Sequence, residues 1–311
     1  MSDPMAPPGA SGLARLARVT ALLTFGLIVL GGVVRATGSG LACPDWPLCH
    51  GRLIPPFQAE VLIEWFHRVV ALLVSLSTLG LAAWILARAG LRRVLLGRLL
   101  LALALLVSQI VLGAMTVWKL LAFTIVTLHL ANALLFFAAL LALAERAQVL
   151  AGPAGTDALP AAPAPVRAGL LIASIATLAQ TLLGGLVSTN HAGLACPDFP
   201  GCHGALLPPL VGLVGLQMAH RLGAYGLAAL LVVVAFSAQR AQDARVRAAV
   251  GIAPALLVLQ IVLGVFNVLL AVPVWITAAH LATAAMLFAL LVVATLRAFA
   301  GRRPRAAEVG A

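Results

Sequence analysis

Four of the seven histidines lie inside long apolar stretches, where an ionisable side chain is costly and usually functional. A pair of neutral imidazoles is a natural axial ligand set for haem iron, and helix bundles commonly hold cofactors between facing helices. Zinc fits less well, because two histidines in each group fall short of the three or four ligands that zinc needs. For any one of them, a plain hydrogen bond to a neighbouring helix is the structural alternative. The candidate haem ligands are His67, His129, His220 and His280.

Glu64 is the acid best placed to add chemistry to these histidines. It precedes His67 by three residues, so both side chains project from one helix face. A carboxylate beside a buried cofactor can accept protons or stabilise developing positive charge, although an ion pair with Arg68 at i,i+4 would be a structural role. Arg68 and Arg221 each follow a histidine. Their positions fit two roles equally well: pairing with haem propionates, or snorkelling to the membrane interface.

The four cysteines form two closely spaced pairs, Cys43/Cys49 and Cys196/Cys202, with five residues between the members of each. Disulfides are the default in loops that face an oxidising compartment. Covalent haem attachment is excluded, because its signature has two residues between the cysteines. A metal site of two cysteines and the following histidine stays open. A disulfide could be a staple or a redox relay, and we favour the relay for the first pair because Glu64 accompanies it.

The composition places most of the protein surface in lipid. Hydrophobic residues make up 63% of the 311 residues and charged residues 9%, against about 25% charged in a typical soluble domain. This excludes a soluble globular protein, and the scattered arginine clusters exclude nucleic acid as a partner. Apolar runs of about 20 residues predict membrane-spanning helices. Eight spans are predicted, at residues 17–34, 62–87, 94–117, 122–144, 168–188, 213–238, 247–270 and 274–298.

The arginines give the predicted topology. Most of the 20 Lys and Arg residues fall in the terminal tails or in the connections after spans 2, 4 and 6. By the positive-inside rule these segments are cytoplasmic, as are both termini, and the loops after spans 1, 3, 5 and 7 face outward. We therefore expect a multi-pass protein of the plasma (inner) membrane, with all four intramembrane histidines near the outer ends of their spans.

The chain contains an internal repeat. Residues 40–51 (GLACPDWPLCHG) return as residues 193–204 (GLACPDFPGCHG), with ten of twelve positions identical at an offset of 153. The same offset relates His67 to His220, and an offset of 151 relates His129 to His280. An even number of spans in each half makes the repeats parallel, about an axis along the membrane normal. The predicted fold is an all-α integral membrane protein, with eight transmembrane helices in two tandem, parallel-repeat four-helix bundles.

The two halves differ at one position that matters for chemistry. The residue equivalent to Glu64 is Gln217, and an amide cannot accept a proton as a carboxylate does, so the first half is the better catalytic candidate. The predicted boundaries are a cytoplasmic tail at 1–16, a first half at 17–146, an Ala/Pro-rich cytoplasmic linker at 147–167, a second half at 168–298 and a basic cytoplasmic tail at 299–311.

The chain strongly resembles the haem A synthase family over nearly its whole length. The motifs are LGGVVRATGSGLACPDWPLCHG at 30–51, EWFHR at 64–68, TLH at 127–129, HR at 220–221 and AH at 279–280. The resemblance implies an enzyme that oxidises a ring methyl of haem O to the formyl group of haem A, the cofactor of aa3-type terminal oxidases.

The resemblance also implies roles for single residues. His67 and His129 would hold the substrate haem, Glu64 would assist catalysis, and His220 and His280 would ligate a resident haem b. Cys43 and Cys49 match the outer-loop pair of the family, whereas a second pair such as Cys196/Cys202 occurs in only some members.

A mechanism and a set of partners follow from these expectations. Two imidazoles on one iron leave no open position for oxygen, which favours removal of electrons and protons from the methyl, with water supplying oxygen and haem b carrying electrons away. Haem O would come from the farnesyltransferase that makes it, and a separate acceptor such as a quinone would take the electrons. Two alternatives stay open: a quinol-linked di-haem b electron carrier, and a transporter with haem as its cargo.

Overall fold

The computed structural model describes residues 8–152 and 161–300, and within them the chain forms eight long α-helices and no β-strand. A short 3-10 helix follows the first and the fifth of them, at Ser39–Leu41 and Ala192–Leu194. The helices are α1 (Ala10–Ala36), α2 (Ala59–Leu86), α3 (Ala89–Trp118), α4 (Phe123–Ala151), α5 (Ala164–Thr189), α6 (Gly212–Ala238), α7 (Ala244–Leu269) and α8 (Val274–Ala300).

All eight helices of the described residues are long and apolar enough to cross a membrane, which confirms the predicted all-α protein with eight membrane-spanning helices. They contain 26 to 30 residues, and at about 1.5 Å per residue each is longer than a hydrocarbon core of about 30 Å. Some therefore extend beyond the predicted spans: α1 begins at Ala10, and α4 ends at Ala151. Hydropathy marks only the lipid-facing part of a helix, whereas the backbone continues helically past charged residues such as Arg15 and Glu145.

The predicted tails and linker lie partly outside the described residues, at 1–7, 153–160 and 301–311. At the described end of the linker, the N–H of Ala162 donates to the carbonyl of Ala298 at 3.0 Å. Pro165 then lies in the first turn of α5, where the missing N–H of proline costs no helical hydrogen bond. This end of the linker is therefore fixed against α8.

The helix contacts divide into two similar groups. In the first group α1 and α3 each pack against both α2 and α4, and in the second group α5 and α7 each pack against both α6 and α8. The groups meet where α1 contacts α8 and where α4 contacts α5 and α8. Two four-helix repeats side by side would give this pattern, so the contacts support the predicted duplication.

Polar contacts join the two groups along this line. Glu145 of α4 forms a two-pronged ion pair with Arg297 of α8, with Oε2 2.8 Å from Nε and Oε1 3.0 Å from Nη2. Near the predicted outer ends, Arg35 of α1 donates to the carbonyl of Ser188 of α5 at 2.7 Å. Ser188 is the counterpart of Arg35 at the offset of 153. A residue that contacts its own counterpart lies close to a two-fold axis, as expected of parallel repeats.

A large buried apolar cluster extends to the helix ends that carry the arginine-rich connections. There Leu13, Ala14 and Ala17 of α1 join Leu143 and Ala147 of α4 in one fully buried cluster. Alanines let helix backbones approach closely, which suits association inside a membrane. The opposite ends of the helices are not filled in this way, and they enclose the cavity described next.

Candidate functional site

The four intramembrane histidines line a cavity of about 1400 Å³ that reaches into both helix groups. Two of them follow the first residue of their helix by eight positions and two by six, which corresponds to depths of about 9–12 Å. They therefore lie at one level, near the helix ends that the predicted outward loops connect. They are His67 on α2, His129 on α4, His220 on α6 and His280 on α8.

Each of these imidazoles packs against a glycine of the preceding helix. A Cβ added to Gly31 would lie 3.3 Å from Cε1 of His67, and a Cβ added to Gly184 would lie 2.9 Å from Cε1 of His220. Both distances are shorter than ordinary Cβ contacts, so the ring position depends on the missing side chain. The pairs are Gly31 and His67, Gly113 and His129, Gly184 and His220, and Gly264 and His280.

The donor set fits haem iron better than zinc. The ring centroids of His220 and His280 are 6.4 Å apart, which leaves room for one metal ion bonded to each ring at about 2 Å. Nδ1 of His67, His129 and His280 has no hydrogen-bond partner in the described part of the chain, an uncommon state for buried polar atoms. No group of three or more His, Cys, Asp or Glu among the described residues could hold a metal ion, which argues against zinc.

Amide side chains contact two of the histidines. Nδ2 of Asn132 donates to Oε1 of Gln109 at 2.7 Å, and Nε2 of Gln109 lies 3.3 Å from Nε2 of His129. In the second half, Nε2 of Gln180 lies 3.1 Å from Nδ1 of His220. Sequence reasoning gave no role to Gln109, Asn132 or Gln180. A polar residue in an apolar span was the available signal, but the partner lies on another helix.

Glu64 is 4% exposed, and both of its carboxylate oxygens are bonded. Oε2 accepts the backbone N–H of Cys43 at 2.8 Å, and Oε1 pairs with Nη2 of Arg68 at 2.6 Å. The ion pair considered as a structural role is therefore present. Because Glu64 also lines the cavity, its carboxylate links the first outer loop to the space beside His67.

The two arginines that follow His67 and His220 hold the outer loops by their backbone. Arg68 donates to one loop carbonyl at 3.0 Å and to another at 2.6 Å. Arg221 donates to the two equivalent carbonyls of the second loop at 2.8 and 2.9 Å. Both guanidinium groups are thus engaged by protein atoms, and propionate pairing stays a prediction. The acceptors are Cys43 and Asp45 for Arg68, and Cys196 and Asp198 for Arg221.

Gln217, which replaces Glu64 in the second half, makes a weaker connection to its loop. Its Nε2 donates to the carbonyl of Gly193 at 3.3 Å, and its Oε1 has no hydrogen-bond partner within residues 8–152 and 161–300. The carboxylate of the first half therefore joins loop and arginine in a way that the amide does not reproduce.

Both cysteine pairs form disulfides, Cys43–Cys49 and Cys196–Cys202, and the described residues contain no free cysteine. The predicted disulfides are therefore confirmed. The alternative of a metal site built from two cysteines and the following histidine is wrong, because disulfide sulfurs carry no thiolate to bind a metal.

An aspartate closes each disulfide loop. The carboxylate of Asp45 accepts the N–H of His50 at 2.6 Å and of Gly51 at 2.7 Å, and Asp198 accepts the N–H of His203 and of Gly204 at 2.8 Å each. These bonds, the glycine N–H first, hold the pKa of both carboxyl groups below the ordinary value. The two loops therefore share one internal scaffold.

Comparison with known proteins gives a family match over most of the chain. Residues 14–292 match the model of the COX15-CtaA family, described as cytochrome oxidase assembly protein. Similar proteins named "Heme A synthase" occur in Methylobacterium sp. (strain 4-46), at 32% identity over 88% of each chain, and in Methylorubrum extorquens (strain PA1), at 32% identity over 94% of this chain and 87% of the relative. A relative of the same name from Shewanella oneidensis (strain MR-1) is 28% identical over 89% of this chain and 94% of its own.

Proposed function

The chain belongs to the COX15-CtaA family of cytochrome oxidase assembly proteins, and from this membership we propose that it is a haem A synthase, an oxidoreductase that converts haem O to haem A. The observation that carries the proposal is the cavity lined by two pairs of glycine-backed histidines. Cavities for single small ligands measure about 300–1000 Å³. A volume of about 1400 Å³ therefore supports two large ligands better than one.

The two histidine pairs have separate roles in this proposal. His67 and His129 hold the substrate haem O between α2 and α4, with its farnesyl tail toward lipid. His220 and His280 hold a resident haem b between α6 and α8. When bound, haem b supplies one-electron transfer. The glycines behind the rings fix the direction in which each imidazole faces the cavity.

Glu64 serves the reaction at the first site. The carboxylate is held by the N–H of Cys43 and by Arg68, so it keeps a fixed place in the cavity wall. Oxidation of a ring methyl leaves positive charge and releases protons, and a positioned carboxylate stabilises the charge or accepts a proton. With water as the source of oxygen, conversion of the methyl to a formyl group releases four electrons and four protons.

The electrons leave to an acceptor of the quinone class, and the loop disulfide next to Glu64 is the candidate relay in this half. The contact between the Cys43 N–H and Glu64 Oε2 supports that position for the disulfide. Haem O reaches the first site from the farnesyltransferase that makes it, in the plasma membrane, with both termini of the chain in the cytoplasm.

Identification of the extracted haems tests the proposal. The protein is purified after expression with and without the haem O-producing farnesyltransferase, and its haems are separated by chromatography. We expect haem b alone without the transferase, and haem b with haem O and haem A when it is present. A di-haem b carrier would yield haem b under both conditions, and a haem transporter would release haem O unaltered.

Single histidine variants assign the two sites. His67→Ala should remove haem O and haem A and leave haem b, whereas His220→Ala should remove haem b. His203→Ala is the matched control, because His203 binds a loop carbonyl rather than lining the cavity. Loss of haem b from His67→Ala with retention of haem A would reverse the assignment.

A further inference from the structure

Gln180 of α5 makes two contacts with the same histidine of α6. Its Nε2 donates to the backbone carbonyl of His220 at 2.7 Å and lies 3.1 Å from Nδ1 of the His220 ring. The amide therefore contacts both the backbone and the ring of one proposed haem ligand. The bond to the carbonyl holds the amide beside the ring, and the packed amide restricts rotation of the imidazole. The contact with Nδ1 acts by packing, because a histidine bound to iron through Nε2 carries its proton on Nδ1 and does not accept from an amide N–H.

The amide fits at this place because residue 223 is a glycine. A Cβ added to Gly223 would overlap with Oε1 of Gln180, so any side chain there would push the amide off His220. Gly223 lies three residues after His220, about one helical turn along α6. The pair of Gln180 and Gly223 thus behaves as one structural feature of the second half.

The first half has no equivalent of this feature. At the offset of 153, Leu27 corresponds to Gln180 and Val70 corresponds to Gly223. Nδ1 of His67, the counterpart of His220, has no hydrogen-bond partner in residues 8–152 and 161–300. The first half therefore lacks both members of the pair: a leucine replaces the amide, and a valine side chain replaces the glycine that leaves room for it.

We infer that Gln180 is a positioning residue that locks His220 for a permanently held haem, and that the first half omits it so that its haem can be exchanged. This rests on the proposed function, in which one haem is a resident cofactor and the other is turned over. A substrate has to enter and its product has to leave, whereas a cofactor has to stay. In the first half Gln109 also lies near a histidine ring, 3.3 Å from Nε2 of His129, but only Gln180 is bonded to the backbone of the histidine that it contacts. The bond between Gln180 and the His220 backbone therefore supplies the difference between the two sites.

The test uses the full-length protein with both sites loaded. Gln180→Leu installs the residue that the first half has, and two measurements follow: the electron paramagnetic resonance spectrum of the oxidised low-spin haems, and the rate of haem b transfer to apomyoglobin. We expect the haem b signal to shift, the other haem signal to stay, and haem b loss to accelerate about five-fold, the effect of one hydrogen bond.

Two further variants separate positioning from a general loss of structure. Gly223→Ala keeps every polar group but displaces the amide, and it should give the same spectral shift. Gln239→Leu makes the same chemical change at the exposed end of α6, where Nε2 of Gln239 donates to the carbonyl of Ala235 and the residue does not line the cavity, and it should leave the haem b signal unchanged.

The outcomes distinguish this inference from the proposed function. An unchanged haem b spectrum and an unchanged transfer rate in both Gln180→Leu and Gly223→Ala would overturn the positioning role. A wild-type preparation without two bis-histidine haem signals would instead contradict the proposed function itself. If Gln180→Leu does not accumulate, Gly223→Ala alone decides, since it alters no hydrogen-bonding group.

Discussion

Gly184 of α5 lies so close to His220 of α6 that a methyl group in its place would stand 2.9 Å from Cε1 of the ring. This is the tightest of the four glycine–histidine contacts, and it concerns a proposed ligand of the resident haem.

Gly184→Ala should therefore weaken haem b binding, because the added methyl displaces the His220 ring from its position. We expect the purified variant to retain less than half of its haem b, measured by the pyridine haemochrome spectrum. Gly251→Ala is the control: apart from adjacent residues and the backbone of its own helix turn, no described atom lies within 4 Å of a Cβ added there, and the change should stabilise α7 by about 0.5–1 kcal/mol. Equal haem b content in the two variants would show that the contact does not position the ring.

Glu64→Gln should leave haem bound and stop the reaction before haem A. The amide keeps the size of the side chain but cannot accept a proton or stabilise positive charge as a carboxylate does. We expect accumulation of haem O or a hydroxylated intermediate, identified by chromatography and mass spectrometry of the extracted haems. Glu60→Gln, at an exposed position in the first turn of α2, is the control and should give normal product. Full haem A production by Glu64→Gln would remove the carboxylate from the mechanism.

The outer loops should loosen in acid but not in alkali. The pKa of Asp45 and of Asp198 lies below the ordinary value of 3.8 in the folded protein. A carboxyl group whose pKa falls on folding stabilises the fold above its unfolded pKa, and this stability is lost as the pH falls through the folded pKa. Hydrogen exchange of the peptide N–H groups of Gly51 and Gly204, corrected for intrinsic rates, should thus rise only below about pH 4. In Asp45→Asn and Asp198→Asn the corrected hydrogen exchange of these N–H groups should already be faster at neutral pH. An exchange rate equal to that of the wild type would contradict the role of the aspartates in closing the loops.

The ion pair between Glu145 and Arg297 should hold the two helix groups together. Its side chains are 25% and 21% exposed, and its two-pronged geometry is the stronger kind of surface pair. Glu145→Gln should lower the free energy of unfolding by about 1 kcal/mol, seen as a lower midpoint of thermal unfolding in lipid nanodiscs. The exchange Glu145→Arg with Arg297→Glu should restore most of the loss. Additive losses in the double variant would show that the two side chains do not interact.

The sequence was sufficient for the features that depend on one helix or on one short loop. Each of the eight spans could be predicted, because an apolar run of sufficient length determines its own structure in lipid. The disulfides could be predicted because both partners of each bond lie within one loop. The four histidines stood out because an imidazole is rare in an apolar span.

The features that were missed depend on two helices at once. The sequence of α5 alone gives no indication of the role of Gln180, since its partner His220 and the space left by Gly223 are both on α6. Asn132 likewise acquires its role through Gln109 of α3. The loop contact of Glu64 was missed because its acceptor oxygen bonds a backbone N–H, and every residue carries such a group. These contacts depend on how the helices pack against each other, and the spacing of residues along the sequence does not show which helix faces meet.

The pairing of Glu145 with Arg297 also has an evolutionary meaning. At the offset of 151 that relates His129 to His280, Arg297 corresponds to Arg146 and Glu145 corresponds to Leu296. Two separate copies of the first half assembled about the same axis would therefore place Glu145 of each copy opposite Arg146 of the other, and opposite charges attract. Two copies of the second half would instead place Leu296 opposite Arg297, with no carboxylate for the arginine. The joined chain thus forms this ion pair once, and only its first half supplies the acid.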